Sequence, residues 1–103
     1  MRLINPADFT GEKAWDAIDI EKIENATVRL HWTDKPYIWH VNDGAEVFVL
    51  LDGAVEMHIR ESGAEKVLSL KPGDIFHAET GDEHKAVPLK PSRILVIETE
   101  GSI

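Results

Sequence analysis

Residues 39–53 read WHVNDGAEVFVLLDG and place His40, Asn42, Asp43 and Glu46 within seven positions, just ahead of an apolar run. Side chains on a strand alternate between faces, so His40 and Asn42 share a face if this stretch is extended. The turn Asp43-Gly44-Ala45 brings the chain back, and Glu46, at the head of the next strand, can face the same space. An imidazole, an amide oxygen and a carboxylate converging on one point make a partial shell for a divalent metal ion. A second candidate lies far along the chain: in KPGDIFHAETGDEHKAVP, His84 follows a Gly81-Asp82-Glu83 turn. A β-sandwich can bring two such distant segments together.

The elements that must position these side chains are strands. Turn signals arrive at short intervals, at Asp34-Lys35-Pro36, Asp43-Gly44, Asp52-Gly53, Ser62-Gly63, Pro72-Gly73-Asp74, Gly81-Asp82 and from Pro88 to Pro91. The pieces between them are short and rich in Val, Ile, Leu, Phe and Trp, the mark of an all-β sandwich or barrel. Strands are expected at residues 28–32, 37–41, 46–51, 54–61, 66–70, 74–78 and 93–98. Val28, Leu30 and Trp32 fall on one face, Arg29 and His31 on the other. Residues 46–51 are apolar on both faces, so both should be covered. Asp52-Gly53 and Ser62-Gly63 read as hairpin turns, and a short helical turn is expected near residues 14–18. The fold class predicted is an antiparallel jelly-roll β-barrel, a double-stranded β-helix, in a single domain over residues 1–103. Residues 1–26 form a lead-in and edge segment, and residues 27–98 the barrel core. An immunoglobulin-like sandwich would have similar strand lengths but lacks its Cys-Trp-Cys pattern here.

The bulk numbers agree with one domain: 103 residues, of which 43% are apolar, suffice for one core. Nineteen acidic against 11 basic side chains give a formal charge of −8. That excess argues against nucleic acid and against an anionic membrane surface as partners. With no cysteine there is no disulfide, thiolate nucleophile or Cys-ligated zinc. The N-terminal stretch has no apolar core of signal-peptide length, so a cytoplasmic protein is expected. No Gly-x-Ser-x-Gly elbow and no glycine-rich phosphate loop is present.

The spacing then resembles that of the cupin superfamily of small jelly-roll barrels. Their first motif reads His-x-His, three or four residues, Glu, six residues, Gly; here stand His40-Val41-Asn42, three residues, Glu46, six residues, Gly53. Their second reads Gly, five residues, Pro-x-Gly, two residues, His, three residues, Asn; here stand Gly73, five residues, Glu79-Thr80-Gly81, two residues, His84, three residues, Pro88. The resemblance implies His40, Glu46 and His84 as ligands of a divalent metal ion (Fe, Mn, Ni or Zn). Asn42 replaces the second histidine of the first motif, and Glu79 and Pro88 replace the proline and asparagine of the second. Three arrangements are open: Asn42 coordinates through its oxygen, a water takes its place beside a two-His-one-carboxylate set, or no metal binds. An amide oxygen is neutral and a weaker ligand than imidazole for most transition metals.

His77 shares a strand face with Ile75 and Glu79. If that face lines the barrel, His77 enters the cavity and, with Asn42, is a candidate catalytic group; otherwise it is a histidine bonded to backbone. His31 and His58 fall on polar faces and are expected in solvent. Trp15, Trp32 and Trp39 read as packing residues. Tyr37, Trp39 and Val41, extended by Val47, Val49 and Leu51, suggest an apolar outer stripe that a homodimer would bury. Two functions follow: a metal-dependent enzyme on a small molecule, with oxygenase or isomerase chemistry, or a small-ligand-binding or sensing barrel without turnover.

Overall fold

Short alternating segments cut by Gly, Asp and Pro cannot build long helices, and among the described residues the chain has strands and one 3-10 turn at Pro6–Asp8. The structure is a computed structural model and describes residues 1–102. Its strands are β1 (Asp16–Ile23), β2 (Ala26–Thr33), β3 (His40–Val41), β4 (Glu46–Asp52), β5 (Val55–Glu61), β6 (Ala64–Leu70), β7 (Ile75–Ala78), β8 (Glu83–Pro88) and β9 (Ser92–Thr99). They form a five-stranded sheet, β1-β2-β9-β4-β7, and a four-stranded sheet, β3-β8-β5-β6, with every pairing antiparallel. The all-β jelly-roll architecture is therefore the one expected.

The sheets face each other over Phe48, Leu50, Val55, Met57, Ala86, Ile94 and Val96. Burying each larger side chain contributes about 1.5–3 kcal/mol. An exposed ion pair such as Arg60–Glu65 is screened by solvent and adds little, so the apolar layer holds the sheets together. The N-terminal segment covers part of the other face of the five-stranded sheet, over β2 and β9, while Ile75 and His77 of β7 stay exposed. Arg93 Nε donates to the Phe9 carbonyl at 2.8 Å, and Gly11 lies so close to Trp32 that a Cβ there would sit 2.9 Å from its ring.

That cover explains a face the sequence misassigns. Leu30 and Trp32 are buried, but beneath the N-terminal segment, whereas Arg29 and His31 point between the sheets. Other expectations also need correction. Residues 14–18 are not helical: Trp15 takes a left-handed φ of 60° and β1 starts at Asp16, running into a tight turn where Glu24 has φ 56°. The strand β8 lies between the Gly81-Asp82 and Pro88–Pro91 turn signals, where no strand was expected. Tyr37 packs inward against Trp15 and His40, with ring centroids 5.2 and 5.3 Å away. Trp39 is capped by the Arg60 guanidinium at 3.8 Å, and Val47, Val49 and Leu51 lie on the other sheet. The expected apolar stripe is thus not continuous.

Ser62-Gly63 is a true two-residue hairpin turn, with positive φ at both residues and Glu61 paired to Ala64. Asp52-Gly53 is not. It is a corner that carries the chain from the five-stranded sheet to the four-stranded one, since β4 and β5 do not pair. Gly53 has φ +104°, and a Cβ there would collide with Ser92 Oγ. We expect Gly53→Ala to cost about 2 kcal/mol or more, from left-handed backbone strain plus overpacking. Urea denaturation measures it, and a loss well under 1 kcal/mol would contradict this account of the corner.

Candidate metal centre

Glu46 opens β4 and points inward from the five-stranded sheet. His84 sits near the start of β8 on the opposite sheet, directly paired with His40 of β3. One ligand atom from each of His40, Glu46 and His84 lies within 4.8 Å of the others. His84 and Glu46 are only 2% and 7% exposed, and His84 Nε2 lies 3.1 Å from Glu46 Oε1. The residues expected far apart in sequence do meet.

Packing fixes each ring. His40 and His84 meet edge-on with centroids 4.4 Å apart, and Phe76 packs against His84 at 5.3 Å. His40 Nδ1 is 3.1 Å from the Ile38 carbonyl. A carbonyl only accepts, so Nδ1 carries the proton and Nε2 keeps its lone pair, the tautomer a metal ligand needs.

Asn42 belongs to the same cluster. Its backbone extends the β3–β8 ladder, donating to the Asp82 carbonyl and accepting from Gly81 N–H, both at 2.8 Å. Its Nδ2 donates to the Gly44 carbonyl at 3.3 Å, which turns Oδ1 toward His84 Nε2, 2.6 Å away. His84 Nε2 therefore faces two acceptors, Asn42 Oδ1 and Glu46 Oε1, and one proton cannot point at both. A buried carboxylate, an amide oxygen and two imidazoles crowd their lone pairs around one point, and such a cluster is stabilised by a cation at its centre. The donor set of His40, His84 and Glu46 fits a divalent transition metal, with the Asn42 oxygen facing the same centre.

The cluster forms one wall of a cavity of about 220 Å³. Phe48, Ala86 and Val96 give it an apolar floor, and Arg29, His31 and Glu98 a polar side. The sequence does not single out Arg29 and His31, because Val28, Leu30 and Trp32, which alternate with them, suggest that the opposite face of β2 is the core. For Glu98 the signal is present: it continues the inward series Ile94, Val96. His77 is not in this cavity. It is exposed opposite Val47 on the outer face, while Phe76 and Ala78 face inward, so it cannot act there as a catalytic group. His58 is on the outer face as expected, 3.4 Å from Glu56.

Burial, then the cross-strand Glu46 carboxylate, pushes Glu98 up to about 7, against a smaller opposing pull from Arg29. Burial, then the neighbouring Arg29, holds His31 below the usual imidazole range. For Glu98 the sign follows from linkage. The folded carboxyl keeps its proton to about pH 7, whereas the unfolded one loses it near 4.5. The stability it contributes is whole below 4.5 and lost as pH rises through 7. In chelator-treated protein we expect urea stability to decline across that interval and Glu98→Gln to flatten the decline. An unchanged slope in the variant would contradict the assignment.

No family model matches the chain, and no curated protein matches its sequence. Solved structures do match. A cupin-2 domain containing protein from Shewanella frigidimarina superposes with a TM-score of 0.80 at 23% identity, covering 95% of each chain. A cupin superfamily protein from Desulfitobacterium hafniense gives 0.79 at 11% identity, covering 96% of this chain and 90% of the other. A hydroquinone 1,2-dioxygenase solved in complex with Fe3+ gives 0.77 at 15% identity, covering 87% of this chain and 29% of the other. The two facing antiparallel sheets and these superpositions together show that the chain has the cupin fold.

Proposed function

We propose that the chain binds a divalent metal ion (Fe, Mn, Ni or Zn) through His40, Glu46 and His84, and uses it to act on a small molecule held in the adjoining cavity. The observation that carries this reading is the convergence of two imidazoles and a buried carboxylate from opposite sheets within 4.8 Å. When bound, such a metal supplies Lewis-acid polarisation of a carbonyl or hydroxyl oxygen, or a site for dioxygen. Oxygenase and isomerase chemistry both fall within that range.

The chain's own residues have definable tasks. His40, fixed through its Nδ1–H to the Ile38 carbonyl, presents Nε2. Asn42 presents Oδ1 to the centre in place of an imidazole, adding no charge. Phe48, Ala86 and Val96 keep the floor of the cavity apolar. Glu98, holding its proton to about pH 7, can give or take a proton at its carboxyl oxygen near neutrality. No helix among the described residues is long and apolar enough to cross a membrane.

The 2.6 Å contact between Asn42 Oδ1 and His84 Nε2 favours a second reading. If that hydrogen bond persists in solution, it occupies the histidine, and the barrel binds or senses a small ligand without metal or turnover. Metal analysis after chelator-free purification separates the two. We expect near-stoichiometric metal in the wild type. Metal affinity should fall by about 100-fold or more in His84→Ala and Glu46→Gln, with circular dichroism reporting that each variant remains folded. A wild-type protein that neither retains nor takes up metal, yet binds small ligands, would decide for the second reading.

A further inference from the structure

Among the described residues lining the cavity, Arg29 is the only arginine or lysine. It projects from β2 on the inward face, paired in register with Val96 of β9, which pairs in turn with Phe48 of β4. Its backbone therefore lies two strand spacings, about 10 Å, from the strand that carries Glu46. The guanidinium has one fixed partner. Asp19, directly opposite on β1, accepts from Arg29 Nε at 2.7 Å. Neither Nη has a hydrogen-bond or ion-pair partner among the described residues. Asp19 thus anchors the side chain at its inner nitrogen and leaves the outer fork unused.

The neighbours sharpen the picture. His31, two residues on and on the same face, is held below the usual imidazole range by burial, and Glu98, the acidic residue of that side, is raised to about 7 by burial against a smaller pull from Arg29. The His31 Nδ1 is buried without a partner, which marks this wall as short of hydrogen bonds from the chain itself. A planar guanidinium fork with both Nη free matches a carboxylate, to which it can donate two parallel bonds. The cavity holds about the volume of seven waters at ~30 Å³ each. A small molecule fits within it, and one that extends from the half-exposed Arg29 would face the wall of His40, Glu46 and His84.

We propose that Arg29 binds the carboxylate of a small organic acid whose other end, a hydroxyl or carbonyl oxygen, faces the His40–Glu46–His84 cluster. The inference deepens the metal reading, on which it rests only for the far end of the ligand. The carboxylate contact itself needs no metal.

The test uses the full chain, metal-free and Mn2+-loaded, with glycolate, lactate and malate, the corresponding neutral amides, and inorganic phosphate. Ligand-observed NMR gives the affinities, and manganese-induced relaxation of ligand protons reports proximity to the metal. At least one acid should bind about tenfold or more tighter than its amide. Arg29→Gln should erase that preference, Arg29→Lys should keep part of it, and metal uptake should be unchanged in both. The proposal is overturned if no acid is preferred to its amide, if Arg29→Gln keeps the preference, or if phosphate binds in place of every acid. Acid binding that depends on Arg29 in a protein taking up no metal would uphold it and defeat the metal reading. Metal uptake with acid binding indifferent to Arg29 would do the reverse.

Discussion

A carboxylate from one sheet and an imidazole from the other, 3.1 Å apart and shut away from water, set the terms for the rest of the molecule. A buried carboxylate costs several kcal/mol unless a positive charge and good hydrogen bonds offset its desolvation. Among the described residues Glu46 has no arginine or lysine as a partner. Asn42 Nδ2 donates to its Oε1 at 3.5 Å, and further compensation comes from a proton on His84 or from a metal shared with His84 and His40. The apolar layer beneath brings the sheets together, and this polar junction fixes how their open ends face each other.

The local structure is arranged around that junction. β3 is only two residues long, yet it puts His40 directly beside His84, and Asn42 prolongs its ladder to Gly81 and Asp82. The corner at Gly53 turns the chain between sheets against Ser92, so β4 and β5 can contribute to opposite walls of one core. The N-terminal segment covers the outside of the five-stranded sheet at β2 and β9. That cover lets β2 carry apolar residues outward and polar ones inward, which is how Arg29 and His31 reach the cavity.

The all-β class and the shared face of His40 and Asn42 were legible, because strand alternation and turn residues act locally; the joining of His84 to them was legible only through the resemblance of the two motifs to those of the cupin superfamily. What was not legible depended on which face of a strand is covered, and by what. Leu30 and Trp32 look like barrel core by hydrophobicity, and only the N-terminal segment makes their outward placement stable. The same ambiguity misplaced His31 and left the position of His77 conditional, since a one-residue change of face exchanges every side chain on a strand. Asp52-Gly53 has the composition of a hairpin turn, but strand pairing, not turn chemistry, decides whether a tight turn joins neighbours or crosses between sheets. The residues near 14–18 became a strand because β2 offered an edge to pair with, which intrinsic preference does not register.

The central claim is that one metal ion sits between the two sheets, and anomalous diffraction at the absorption edge of the bound metal tests it most directly. The account predicts a single peak about 2.0–2.3 Å from a nitrogen of His40, a nitrogen of His84 and an oxygen of Glu46. A peak at an exposed histidine such as His77, or none in crystals grown with the metal while His84 still bonds Asn42, would contradict it.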